Sequence, residues 1–209
     1  EPAFWNKLTL APIWLKDRFL QLIEREKEHA KNGGEGRIIA KMNSLCDRDV
    51  IAALYEASAA GVKIDLVVRG ICCLKVGIPG VSENISVRSI VGNFLEHSRI
   101  YYFYNNGQEE VYCSSADWMP RNLEKRVEIL FPVERPELKE EVIHILDIEL
   151  QDNVKAHVLQ PDDTYVKVDR RGKVALNSQD YFVEEAREKA RAEETPVNSR
   201  VFIPEEPAQ

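Results

Sequence analysis

The chain has 209 residues, 44% hydrophobic and 30% charged, with a net charge of −7, which suits one large domain, or one with an appendage, and argues against a general nucleic-acid binder with a basic face. No apolar run reaches the ~20 residues that a bilayer crossing requires, and Glu1 to Leu10 lack the basic start and apolar stretch of a signal peptide. The four cysteines show no C-x-x-C spacing, which argues against a disulfide framework or zinc site and for reduced, buried thiols in a cytoplasmic setting.

The first residue is not Met, and amphipathic sequence begins almost at once, so we expect a piece cut from a longer protein. Residues 63–126 carry eight Lys/Arg against seven Asp/Glu, making that stretch +1 and the remainder −8. A local anion site in mid-chain is compatible with this, as is ordinary fluctuation.

Trp14 to Lys31 reads as an amphipathic helix with Leu15, Phe19, Leu22 and Ile23 on one stripe, closed by Gly33-Gly34. Arg37 to Ala40 is a short buried strand. Asp47 caps a second helix carrying Val50, Ile51, Leu54 and Ala57 on one face, and Gly61 stops it. Val62 to Val68 is another apolar strand, so strand, helix and strand form a right-handed unit with parallel strands. A loop with Gly77, Pro79 and Gly80 leads to a strand over Ile85 to Val91. Arg99 to Tyr104 and Glu110 to Cys113 pair as a hairpin through the two-residue turn Asn106-Gly107. Arg126 to Phe131 is one more strand, and Pro136 opens a helix through Leu150. Val154 to Leu159 and Tyr165 to Val168 are edge strands. Asn177 or Ser178 caps a charged helix to about Glu194, and an irregular, proline-bearing tail follows from Thr195.

Arg69 directly follows an apolar strand. In open α/β sheets ligands sit beyond the carboxyl ends of strands, so topology alone places it where a ligand would be; arginines also close strand ends for structural reasons. His97 lies in Glu96-His97-Ser98-Arg99 at a strand entrance, where imidazole can donate or accept a proton near neutral pH. Its bland alternative is a histidine capping a backbone carbonyl. Ser114-Ser115-Ala116-Asp117-Trp118 to Asn122 follows the next strand. Ser115 and its neighbours offer donors to an anion, Arg121 offers a planar fork, and Trp118 packs the loop on the sheet. The alternative is a decorated turn.

Taken together, His97-Ser98-Arg99 and Ser114-Ser115-Ala116-Asp117 resemble the two parts of the phospholipase D-like motif, with Arg99 in place of Lys and Asp117 in place of Asn. A closer resemblance covers most of the chain. Val68–Leu74, Pro79–Ile85, Phe94–Arg99 and Ser115–Asn122, with Ile39–Leu45 and Asp152–Ala156, resemble in order and spacing the C-terminal half of the polyphosphate kinase family. That resemblance implies an α/β fold with a phospholipase D-like mixed sheet flanked by helices. The implied organisation is residues 1–35 leading in from a preceding domain, 36–176 as the catalytic-half domain, and 177–209 as charged helix and tail. It also implies reversible transfer of the terminal phosphate of ATP to inorganic polyphosphate, with Mg2+ and a phosphohistidine.

The resemblance puts the family's nucleotide-contacting Arg and second active-site His on Arg69 and His97, and Ser115, Asp117 and Arg121 are expected beside them in the ATP- and phosphate-binding set from the character of their turn. The phosphohistidine and the metal ligands belong to preceding domains, so the chain alone is expected to be inactive. The implied partners are ATP or ADP, polyphosphate, those preceding domains and further copies in a homo-oligomer. No nucleic acid is expected, and the setting is cytoplasmic, with a membrane-peripheral position of the whole enzyme left open. Two other readings remain: a phospholipase D-like phosphodiesterase or nuclease working as a dimer, and a non-catalytic polyphosphate-binding module.

Overall fold

The computed structural model describes residues 7–193; the tail expected from Thr195 lies outside them. The chain runs through β1 (Thr9–Leu10), α1 (Leu15–Lys31), β2 (Arg37–Met42), α2 (Arg48–Ala59), β3 (Lys63–Val68), β4 (Ile85–Ile90) and β5 (Arg99–Phe103). It continues through β6 (Glu110–Ser114), β7 (Ile129–Pro132), α3 (Pro136–Gln151), β8 (Ala156–Leu159), β9 (Tyr165–Lys167) and α4 (Ser178–Glu193). The strands form one mixed sheet in the order β1-β7-β6-β5-β2-β3-β4-β8-β9. Helices flank it, as the sequence leads us to expect.

Parallel pairing of β2 with β3 runs from Arg37↔Lys63 to Met42↔Val68, and β4 extends the parallel part beside β3. Both faces of β2 and β3 are covered, which is why they read as nearly unbroken apolar runs. Ile38, Ala40 and Met42 face the large core built with Leu15, Phe19, Leu22 and Ile23 of α1 and Val50 and Leu54 of α2. Ile39 faces the other way, into a smaller cluster with Ile100, Tyr102, Val111 and Leu146 of α3. The Asp47 side chain caps α2, accepting from Asp49 N and Val50 N at 3.1 Å each. Helix α4 leans on α3, with Tyr181 and Phe182 around His144 at ring-centroid distances of 5.7 and 6.4 Å.

The sequence treats α1 as a lead-in, yet in space it is part of the core. Phe19 is fully buried and packs on Tyr101 and Trp118 with centroids 4.6 and 5.5 Å apart.

Three local expectations change. The β5–β6 connection is not a two-residue turn: Asn105, Asn106 and Gly107 form a 3-10 turn, and both asparagines take positive φ, 47° and 53°. The cause is long-range, because the buried Glu26 carboxylate accepts Asn105 N at 2.8 Å and Arg37 N at 3.2 Å, pinning the loop to α1. The strand expected from Arg126 starts only at Ile129, since the Glu128 side chain turns inward instead of joining a ladder face. The stretch Arg121–Lys125, read as loop, is a π-helical turn.

Replacing Phe19 by Ala is expected to cost about 3–5 kcal/mol, the usual range for a fully buried aromatic. Urea denaturation measures it, and a loss under about 1 kcal/mol would show that α1 is dispensable to the core.

Candidate functional site

Three registers define one rim of the sheet. Met42 pairs with Val68, Lys41 with Ile100, and Arg99 with Ser114. The exits of β2, β3 and β6 therefore lie beside the entrance of β5. Because the chain passes from β2 to β3 and β4 on one side and then to β5, β6 and β7 on the other, the strand order reverses beside β2, and this rim is a topological switch point, where α/β sheets take ligands. Asn43, Arg69, His97, Arg99, Ser115 and Asp117 all sit on it.

Arg69 is half-buried. Its backbone is fixed: its N–H donates to Met42 O at 3.2 Å, and its carbonyl accepts from Ser89 Oγ at 2.9 Å. Its guanidinium makes no hydrogen bond or ion pair among the described residues. A cation held by its backbone and free at its tip is suited to an anionic ligand.

His97 is exposed. Arg99 Nη1 lies 3.0 Å from His97 Nδ1 and donates to the His97 carbonyl at 2.9 Å. A guanidinium has no acceptor, so Nδ1 must accept. The neutral imidazole thus carries its proton on Nε2, the nitrogen turned away from Arg99. Arg99 is in turn gripped by Asp117, Nε to Oδ1 at 3.0 Å and Nη2 to Oδ2 at 3.3 Å. Asp117 is buried and also accepts Asn43 N at 2.8 Å. Asp117 therefore orients His97 through Arg99, while Glu96 turns the other way. An ionised carboxylate only accepts, so at this rim Asp117 holds the cationic partner of His97 and has no donor for a phosphate.

Ser115 Oγ donates to Glu128, whose other oxygen accepts from Asn122 Nδ2 at 2.7 Å. Its hydroxyl proton is thereby committed. Arg121 is exposed in the π-helical turn and makes none of these contacts. The structure thus groups Arg69, His97 and the Arg99–Asp117–Asn43 support. Ser115 belongs to a neighbouring Glu128–Asn122 knot. Asn43 and Glu128 are site-building residues that sequence reasoning did not assign, and Arg99, read there only as standing in place of the motif Lys, holds the His97 ring. The one available signal for Glu128 was a carboxylate at an inward position of a strand entrance.

Beneath the rim, on the α3 face, Lys41 is almost wholly buried. Its Nζ lies 3.2 Å from Glu96 Oε2 and 3.6 Å from Glu149 Oε1. Burial first, then the Glu96 carboxyl beside it, pushes the Glu149 carboxyl up to about 9, against the pull of Lys41. Glu96 is shifted downward; burial opposes this, but Glu149, Gln179 and Lys41 outweigh it. A groove of about 990 Å³ between α3 and α4 reaches Glu96 and Glu149 from behind; neither Arg69 nor His97 lines it.

Among the described residues no three His, Cys, Asp or Glu side chains converge as a metal site requires. With Asp117 and Glu128 taken up by donors, the residues of this rim do not fit a Mg2+ site. All four cysteines are free, but none is buried as expected: Cys46, Cys72 and Cys113 are half-buried, and Cys73 is exposed in the loop after β3.

Residues 8–179 match the family described as Polyphosphate kinase C-terminal domain 2. A polyphosphate kinase from Synechocystis sp. is 59% identical over 163 residues, which is 78% of this chain and 22% of that protein. The crystal structure of polyphosphate kinase from Porphyromonas gingivalis superposes with a TM-score of 0.87 at 43% identity, covering 92% of this chain and 30% of that one. NucT from Helicobacter pylori superposes with a TM-score of 0.50 at 15% identity over 71% of this chain and 97% of its own, a likeness of fold alone. The chain thus spans between a fifth and a third of the polyphosphate kinases it matches.

Two outcomes follow from the geometry. Asp117→Ala leaves Arg99 buried without its counter-charge and should cost about 3–5 kcal/mol, whereas Arg121→Ala should change stability by less than about 0.5 kcal/mol. Denaturation midpoints compare them, and equal losses would contradict the assignment. Glu149 keeps its proton above the pH at which an unfolded carboxyl, near 4.5, releases it. Its contribution to stability is therefore complete below that pH and is lost as pH rises through about 9. Relative to Glu149→Gln, which cannot ionise, the unsubstituted chain should lose stability between pH 5 and pH 9. A difference between the two that does not vary with pH would refute the shift.

Proposed function

Because the chain belongs to the polyphosphate kinase family, as its second C-terminal domain, we propose that it forms half of a site moving the terminal phosphate of ATP reversibly onto inorganic polyphosphate. The observation that carries this reading is the pairing, on one rim, of the unengaged Arg69 guanidinium with a His97 ring whose Nε2 is turned away from its Arg99 support.

Phosphoryl transfer asks a protein mainly for positioning and for charges where the transferring group becomes more negative. Arg69 supplies charge-assisted hydrogen bonds to phosphate oxygens. His97 donates from Nε2 to an oxygen of the transferring group and takes the proton back in the reverse direction. Its Nδ1, held by Arg99, keeps that tautomer. Asp117 works at one remove and Arg121 is an outer contact to the polyanion, while Ser115, with its N–H given to Ile129 O and its hydroxyl to Glu128, supports the turn. The phosphohistidine and the Mg2+ site are contributed by preceding domains of the polypeptide, and the whole enzyme is a cytoplasmic homo-oligomer. No helix among the described residues is long and apolar enough to cross a membrane.

The test is ATP-dependent polyphosphate synthesis by the full-length kinase carrying this chain. Arg69→Ala and His97→Ala should each lower the rate by about 10²–10⁴-fold, the range for a lost acid, base or charge-stabilising donor. Near-normal rates in both would remove the site assignment. The chain by itself should retain no covalent phosphate after exposure to ATP; a phosphohistidine on it, or hydrolysis of a phosphodiester by it, would favour the phospholipase D-like reading instead.

A further inference from the structure

His97 stands on a segment, residues 91–98, that has no helix or strand of its own. Such a segment positions a side chain only if something else fixes it. Three buried side chains from three different elements do so. From α4, the Gln179 amide accepts Phe94 N at 3.0 Å, donates to Phe94 O at 2.9 Å and donates to Glu96 Oε1 at 2.8 Å. From β2, Lys41 Nζ reaches Glu96 at 3.2 Å and the Ser98 carbonyl at 3.5 Å, the two residues that flank His97. From α3, Glu149 lies against Lys41 at 3.6 Å, and its second oxygen is buried with no other hydrogen-bond partner among the described residues. With Glu149 protonated at neutral pH and Glu96 ionised, the buried group sums to zero charge. That balance makes so many polar groups tolerable in a dry site.

Gly92 adds an independent observation. A Cβ at that position would come within 2.6 Å of the Gln179 Cδ. The absence of a side chain there is what lets the Gln179 amide lie against the segment.

We propose that Lys41, Glu149 and Gln179 are positioning residues for His97, forming a buried seat through which helix α4 sets the place of the imidazole. Its activity readout rests on the function proposed for His97, but its geometry does not. The seat contacts Phe94, Glu96 and Ser98 and none of the atoms of Arg69, so it acts on the placement of one ring and leaves nucleotide contact alone.

The experiment is a cycle in the full-length kinase with Gln179→Ala, Gly92→Ala and His97→Ala, singly and combined. Gln179→Ala and Gly92→Ala should each lower kcat by about 10–10²-fold, the cost of displacing a catalytic group by about 1 Å. KM for ATP should stay within about twofold. In the His97→Ala background neither should lower the residual rate further, because the ring they position is gone. Losses that multiply with that of His97→Ala, or an unchanged kcat, would overturn the proposal. If His97→Ala itself keeps a near-normal rate, the functional reading falls, and the seat is judged on the His97 ring resonance of this chain. That resonance shifts in Gln179→Ala and Gly92→Ala if the seat holds the ring, and an unmoved resonance refutes it.

Discussion

The rim depends on one buried carboxylate. Asp117 collects the backbone N–H of Asn43 at the exit of β2 and two nitrogens of Arg99 at the entrance of β5, while standing itself just past β6. Three strands that meet at the switch point are thereby locked at a single charge. Side-chain exposures of 11% for Arg99 and 8% for Asp117 mean that the pair sits largely outside solvent screening. A charge so placed is costly alone and stable only with its partner, so the three strand ends must hold their relative positions. The next residue carries this order into the core. Trp118 is fully buried between Phe19 and Tyr101, and its carbonyl accepts Cys46 N and Asp47 N at 2.8 and 2.9 Å, just ahead of α2.

A division of labour follows. The carboxylates and the phenol directly beneath the surface of the site are engaged: Asp117 by Arg99 and Asn43, Glu128 by Ser115 and Asn122, Tyr101 by the Ala116 carbonyl at 2.6 Å. The groups at its surface are left with capacity, Arg69 at its guanidinium and His97 at Nε2. Such preorganisation lets electrostatic stabilisation act without rearrangement at the moment of reaction.

Much of this was legible in the sequence, for local reasons. Apolar runs of strand length around an Asp-capped helix define the parallel unit, and its handedness and direction put Arg69 at the carboxyl end of β3. The histidine was legible from its motif, not from its surroundings. What escaped was everything decided by distant partners. An Asn-Gly pair signals a two-residue turn, but a glutamate on α1 reaches over and draws in the preceding asparagine. Lys41 reads as an interruption in an apolar strand, and nothing nearby says that Glu96 and Glu149 will meet it. That Asp117, and not the adjacent Glu96, orients His97 is invisible in the sequence, because an arginine stands between ring and acid. Strand β1, with two residues, is below the length at which alternation carries information.

That shortness matters at both ends of the sheet. Its outermost strands offer only two residues, Thr9–Leu10, and three, Tyr165–Lys167, the last of them a lysine. Open main-chain hydrogen-bonding positions invite another polypeptide to add itself in register, and truncated, charged borders discourage it. Over the described residues, neither margin is long enough to template such lateral growth.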